Sequence, residues 1–184
     1  MPPWRRMPRH ADPERDAAAC AAIYAPHVRG GLASFEEEVP SAGEMARRIA
    51  TVSATHPWLV AERDGETAGY AYASTHRSRP GYRWAADVAI YVDARQHRRG
   101  VGRELYEALL GLLARQRIHV ACAGITLPND ASVALHEAVG FEPVGVYRAI
   151  GFKGGAWYDV GWWQTRLLPA TAPPEEPLGP QRLT

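Results

Sequence analysis

A carboxylate, a glycine-rich turn, a basic loop and a helix histidine are the parts of this sequence with the residue types for chemistry. Asp87 stands in Ala85-Ala-Asp-Val-Ala-Ile-Tyr-Val92, a β-branched and aromatic run of strand length. Alternation along such a strand puts Asp87, Ala89 and Tyr91 on one face and Val88, Ile90 and Val92 on the other. An acid in that company is costly unless it is paired or faces a cleft, so Asp87 is either half of a structural salt bridge or a group placed to handle a proton. Next, Arg95-Gln-His-Arg-Arg-Gly-Val-Gly-Arg103 joins this strand to a helix. Successive amides at a helix start converge on anions, and small residues let a ligand approach the backbone, so the turn suits a phosphate. Its plain alternative is a tight turn with solvated arginines. The third glycine of a dinucleotide fingerprint is missing, and no Gly-Lys-Ser/Thr closes a P-loop. Arg77, Arg79 and Tyr82 lie in an Arg-, Pro- and Gly-rich loop before the strand. A guanidinium fork fits carboxylate, phosphinate or sulfonyl oxygens, unless the loop is simply an exposed basic one. His136, in Ala134-Leu-His-Glu-Ala, is either a solvated helix histidine or a group set beside a reacting centre.

The elements that must position these groups are legible from local pattern. A short strand near Met7–Ala11 leads to a helix from about Glu14 to Ala25, ended by Pro26 and Gly30-Gly31. Ser41-Ala-Gly-Glu44 fits a capping box that opens a second helix running to about Thr55. Asp64-Gly65 is a hairpin turn between Trp58–Arg63 and Glu66–Ala73. After the Ala85–Val92 strand, Gly100–Gln116 places Leu105, Leu109 and Leu112 on one side of an amphipathic helix. Val120–Ile125 reads as a buried strand, Asp130–Val139 as a helix stopped by Gly140, and Phe141–Phe152 and Ala156–Leu167 as two last strands. The expected fold class is mixed α/β, a mixed sheet with helices on both faces.

The glycine turn in this strand-to-helix setting, together with Leu127-Pro-Asn-Asp-Ala-Ser-Val-Ala-Leu-His-Glu-Ala-Val-Gly-Phe141, resembles the GNAT superfamily of acyl-CoA-dependent N-acyltransferases. Pro57-Trp-Leu-Val-Ala-Glu, Tyr82-x-Trp84 and Gly151-Phe-Lys-Gly-Gly-Ala-Trp-Tyr-Asp-Val-Gly-Trp-Trp-Gln164 look most like its phosphinothricin N-acetyltransferase group. The resemblance implies a GNAT fold with a mostly antiparallel central sheet and acetyl-CoA as cosubstrate. It implies pyrophosphate binding by the amides of Arg98, Arg99, Gly100, Val101, Gly102 and Arg103. The backbone of Ile90, Tyr91 and Val92 would hold the pantetheine arm as an added strand, with Asn129 and Ser132 on its far side. Asp87 takes the place of a glutamate general base, one methylene shorter, and His136 stands where many relatives carry a tyrosine acid. Phe35, Arg77, Arg79 and Tyr82 would bind the substrate, an α-amino acid with an oxygen-bearing side chain such as phosphinothricin, methionine sulfoximine or methionine sulfone. The chain departs from the family signature at His97, where Arg or Gln is usual, and in the acidic triplet Glu36-Glu37-Glu38. Acetylation of peptide amines and a catalytically weak acyl-CoA-binding module are the alternative readings, and the family also suggests a homodimer.

Composition limits the alternatives. At 184 residues, 46% hydrophobic and 22% charged, the chain suits one globular domain and not an extended disordered one. Residues 1–168 would form that domain, and 169–184, with five of fifteen prolines, a disordered tail. Twenty arginines and a single lysine balance twenty acids to a net charge of +1, which argues against a nucleic-acid partner. Arg77, Arg79 and Arg83 form one local group and Arg95, Arg98, Arg99 and Arg103 another, each matched to an expected anionic ligand. Cys20 and Cys122 lack zinc spacing and read as buried thiols of a reducing compartment, and no metal is expected. The longest apolar stretch, Ala17–Ala25, is far below the roughly 20 residues of a membrane span, and the basic start is not followed by an apolar signal core, so a cytoplasmic protein without a membrane partner is expected. The remaining histidines, His76 among them, and Trp157, Tyr158, Trp162 and Trp163 are assigned packing or surface places.

Overall fold

The computed structural model describes residues 7–170 and 172–180. A seven-stranded sheet in the order β1-β2-β3-β4-β5-β7-β6 is antiparallel throughout except at β4 and β5. Its strands are β1 (Arg9–His10), β2 (Trp58–Arg63), β3 (Glu66–Thr75), β4 (Ala85–Val92), β5 (Val120–Leu127), β6 (Glu142–Lys153) and β7 (Ala156–Arg166). The helices are α1 (Pro13–Arg29), α2 (Ala42–Ser53), α3 (Val101–Arg115) and α4 (Asp130–Ala138).

Period-two alternation explains why both faces are covered. On β2, Trp58 and Val60 join Cys20, Tyr24, Met45 and Ile49 of α1 and α2 in one core. Leu59 and Ala61 point the other way, into a core with Leu105, Tyr106, Leu109 and Leu113 of α3. The buried stripe of α3 is Val101, Leu105, Tyr106, Leu109 and Leu113, so Leu113 takes the place expected for Leu112 and Tyr106 joins it. Burying each such leucine is worth about 1.5–3 kcal/mol, which fixes α3 and hence the turn that precedes it.

Several local expectations need correction. The first helix does not end at Pro26 but runs through it to Arg29. Pro26 lacks an N–H, a cost confined to the last turn, while Tyr24, Ala25 and Val28 gain burial. At Ser41 the hydroxyl accepts from Glu44 N at 3.1 Å, but the Glu44 carboxylate turns to Arg47 and Arg48 instead of completing the box. Of the C-terminal segment expected to be disordered, residues 172–180 form no strand, yet they lie against the body. The Trp84 indole donates to Glu175 O, Leu178 N donates to Gln116 O, and Arg83 pairs with Glu176. Polar main-chain and side-chain partners hold it where an apolar pattern is lacking.

Candidate active site

The parallel pair of β4 and β5 is short, and this creates the site. Their register covers only Ala85 with Val120, Ala86 with Ala121 and Asp87 with Cys122. Beyond that point β4 follows β3 as far as Val92 opposite Gly69, while β5 follows β7 as far as Leu127 opposite Asp159. The two strands diverge into a wedge, leaving the β5-facing edge of Val88–Val92 without a strand partner. Val88, Ile90, Tyr91, Asn129, Ser132 and His136 all line it, with Gly124, Ile125 and Thr126 from β5. Asp87 sits at the apex, at the last paired position.

At the open end, backbone conformation does the shaping. Arg98 and Gly100 both take left-handed conformations, with φ of 58° and 81°. Gly100 caps α3 without a side-chain hydrogen bond, so the first amides of the helix stay available to an anion. A Cβ on Gly102 would lie 2.9 Å from Leu135 Cδ2, so glycine there lets α4 close against α3. Arg98, Arg99 and Arg103 are exposed around this turn. Arg95 is not available to a ligand in the same way, because its Nη2 pairs with Asp93 Oδ2 at 2.8 Å. The Arg95 hydrogen bonds in turn hold the Asp93 carboxyl below its usual range. His97, the residue that departs from the family signature, makes a 3.1 Å hydrogen bond through Nε2 to Val92 O and so clamps the turn to the strand end.

Asp87 is half-buried, and its Oδ1 lies 2.6 Å from His76 Nδ1. Burial pushes the carboxyl above its ordinary value, opposed by the hydrogen bond from His76 and by the charges of His76 and Arg77. Cys122, across the register, is pushed up to about 11 by burial and then by Asp87. Sequence spacing gave no reason to group these residues. Strand pairing does: Ser74 opposes Asp87, so His76, just beyond the end of β3, folds back over it. His76, Asp87 and Cys122 also offer ligand atoms within 4.8 Å of one another, a candidate metal grouping that the expectation of no metal overlooked.

His136 is 3% exposed and has both ring nitrogens engaged. Nδ1 is 2.7 Å from Ser132 O and Nε2 is 2.7 Å from the Tyr106 hydroxyl. A carbonyl only accepts, so Nδ1 carries the hydrogen and the Tyr106 hydroxyl donates to Nε2. Burial lowers the His136 pKa, with the Ser132 carbonyl opposing, which favours this neutral ring. Tyr106, fully buried and missed by a stripe drawn from leucines, is thus a cleft residue as well as a core one. Asn129 caps α4, its side chain accepting from Ser132 N at 3.2 Å.

The loops around the apex are held less uniformly. Arg77 donates to His76 O at 2.9 Å, and its charge reaches Asp87. Arg79 is exposed, and its carbonyl accepts from Tyr82 N. Tyr82 lies with its ring 6.0 Å from His76. Arg83 is removed from the expected anion-binding group by its ion pair with Glu176 and its stacking 3.8 Å above the Trp84 ring. Phe35 packs on Gly151, where a Cβ would collide with its ring. The loop bearing Phe35 is pinned by Lys153, whose Nζ donates to His27 O, Gly31 O and Ser34 O at 2.8, 2.9 and 2.6 Å. Glu36 is turned inward to Arg48 and the Tyr24 hydroxyl, leaving Glu37 and Glu38 exposed. Trp162, expected at the sheet end, instead lies over Gly124 with its ring 6.0 Å from His76. A separate cavity of about 330 Å³ opens between α2 and β2–β3, walled by Trp58, Tyr70 and Tyr72.

Known proteins share this architecture. Residues 11–162 match the family model of the acetyltransferase (GNAT) domain. The chain is 46% identical over 158 residues to a phosphinothricin N-acetyltransferase of Alcaligenes faecalis, covering 83% of this chain and 78% of that one. It is 32% identical over 166 residues to an L-methionine sulfoximine/L-methionine sulfone acetyltransferase of Salmonella typhimurium, covering 90% and 96%. Among solved structures, a phosphinothricin acetyltransferase from Sinorhizobium meliloti in complex with AcCoA aligns with a TM-score of 0.86 at 34% identity, over 94% of each chain. A strand wedge that opens onto a glycine turn is therefore shared ancestry and not coincidence of shape: the chain belongs to the GNAT family of N-acetyltransferases.

Proposed function

We propose that the protein transfers the acetyl group of acetyl-CoA to the α-amine of a small amino-acid-like acid of the phosphinothricin, methionine sulfoximine or methionine sulfone type. The observation that carries this reading is the wedge, a free strand edge that runs from the anion-ready turn at Arg98–Arg103 to a half-buried acid at its apex. The amides of Arg98 to Arg103 hold the pyrophosphate, and Ile90, Tyr91 and Val92 bond the pantetheine arm as a neighbouring strand would, with Asn129 and Ser132 across from it. This arrangement delivers the thioester to Asp87.

An α-ammonium must lose a proton before it attacks, and the ionised carboxylate of Asp87 stands where that proton is removed. The neutral amine forms the C–N bond in a ternary complex, and the C–S bond breaks as the tetrahedral adduct collapses. No enzyme thiol takes part, since Cys20 is buried and both thiols are held protonated by burial. His136, with both nitrogens occupied, acts by aiming the Tyr106 hydroxyl along the cleft wall. Phe35 and Tyr82 wall the amine side, while Arg77 and Arg79 supply cations for the substrate's carboxylate and side-chain oxygens.

We further place the protein in the cytoplasm as a homodimer. Support comes from two free cysteines and from β6, an edge strand that exposes Val144, Ile150 and Phe152 by more than half. Among the described residues no helix is long and apolar enough to cross a membrane. A thiol-release assay with methionine sulfone and acetyl-CoA tests the central reading. Turnover that exceeds the rate on neutral amines supports it; coenzyme binding without turnover on any amine assigns a binding module, and faster turnover on peptide N-termini assigns a peptide acetyltransferase.

A further inference from the structure

We propose that His76 and Asp87 form a catalytic dyad in which Asp87 orients the ring and His76 Nε2 takes the proton from the substrate ammonium, resting on the reading that the amine is deprotonated at the wedge apex. An ionised carboxylate accepts and cannot donate, so the 2.6 Å contact places the hydrogen on His76 Nδ1 and leaves a lone pair on Nε2. One hydrogen bond thereby selects the tautomer a base needs, the same logic by which a buried aspartate orients a histidine elsewhere in enzymology. Among the described residues no group hydrogen-bonds Nε2.

The surroundings favour a proton carrier. Tyr82 and Trp162 both stand 6.0 Å from the His76 ring, and among the described residues the buried Trp162 Nε1 has no acceptor, a donor left over for a polar group that enters the apex. The charged and titratable groups facing the imidazole are Asp87 from β4, Cys122 from β5, Arg77 from its own loop and Tyr82 from the turn that follows. A neutral imidazole with an open ring nitrogen can accept a proton from an ammonium and carry it as an imidazolium beside the Asp87 carboxylate. The ring also supplies the reach that Asp87 lacks beside a glutamate. A metal ion is the competing occupant, but the imidazole–carboxylate hydrogen bond is already closed and the Cys122 thiol is pushed up to about 11, against a thiolate ligand.

The step balances as follows. An N–H bond of the ammonium breaks and its proton joins Nε2, which later yields it to solvent. The amine lone pair forms the C–N bond, the second proton leaves nitrogen as the C–S bond breaks, and the coenzyme A sulfur receives it.

The test compares His76→Gln, His76→Ala, Asp87→Asn and His76→Gln/Asp87→Glu with methionine sulfone and acetyl-CoA, with coenzyme A affinity as the check on folding. His76→Gln should lower kcat by about 10²-fold at unchanged coenzyme affinity and displace the acidic limb of the kcat/KM profile. Added imidazole should restore part of the activity of His76→Ala, and the double variant should exceed His76→Gln because the longer carboxylate reaches the amine directly. Wild-type kcat and pH profile in His76→Gln would overturn the dyad. If Asp87→Asn is then inactive, Asp87 remains the base by itself; if it too is fully active, the apex reading falls with the dyad. Activity lost to EDTA and restored by Zn²⁺ would overturn the dyad in favour of a metal centre.

Discussion

The two ends of the wedge are built from different materials. At the open end, proposed for the coenzyme, the shaping groups are main chain: left-handed backbone at Arg98 and Gly100, uncapped amides at the start of α3, and the free edge of β4. At the apex, proposed for the amine, they are side chains, namely His76 on Asp87, Arg77 over the His76 carbonyl, Tyr82, and Phe35 seated on Gly151. A backbone site survives substitution of the residues that form it, provided their φ and ψ survive. A side-chain site changes with every substitution. An end shaped by backbone can therefore stay constant while an end shaped by side chains diverges, and His97 and Asp87 fall on the two sides of that division. His97 clamps the turn to the end of β4 through Val92 O, whereas Asp87, one methylene shorter than the glutamate of the resemblance, meets His76.

Removing the charge at the apex is the severest way to probe this division. Asp87→Asn should lower kcat by roughly 10²–10⁴-fold while coenzyme A affinity, measured by calorimetry, stays put. A parallel loss of coenzyme affinity would mean the ends are not separable. Next in size is Gly100→Val, which forces a β-branched residue to a φ of 81° at a cost of about 1–3 kcal/mol and should weaken coenzyme A binding about 10–100-fold. Side-chain removal at the same turn, Arg98→Ala with Arg99→Ala or His97→Ala alone, should weaken it by less than about tenfold. The reverse ranking would break the backbone argument.

Arg77→Ala sharpens the other side of the comparison. It should raise KM for methionine sulfone by about tenfold with little change in kcat, and leave the KM of a neutral amine alone. The smallest effect concerns stability. Burial holds His136, His27 and His56 below the ordinary imidazole pKa. Each binds its proton more weakly folded than unfolded, so stability is full above about pH 6.5 and falls as pH drops through the folded pKa. Thermal melts of the coenzyme-free protein should therefore lose Tm between pH 7 and pH 5. His136→Asn should flatten part of that slope.

Much of the open end's framework was legible in the sequence, because a strand, a glycine turn and a helix are contiguous and their periodicities are local. The alternation that sets Tyr91 on one face and Val88 and Ile90 on the other is realised in the two cores. At the apex, residue type and alternation singled out Asp87, Arg77 and Arg79, but no local pattern showed their partners. His76 gained its partner through the β3–β4 register, and Tyr106 gained His136 through the approach of α4 to α3, neither of which any local spacing encodes. Arg83 looked like part of a basic cluster until the C-terminal segment supplied Glu176. Pro26 looked like a stop because its local cost is visible in sequence and the burial that outweighs it is not.

Lys153 carries one more consequence. Three carbonyls converge on its Nζ from different directions, which a tetrahedral ammonium can meet and a planar guanidinium cannot, so the single lysine stands where the other twenty cations would not serve. With its three hydrogens donated, that nitrogen has no lone pair to offer. A catalyst that holds an activated acyl group beside amines thus leaves almost no amine of its own side chains open to self-modification.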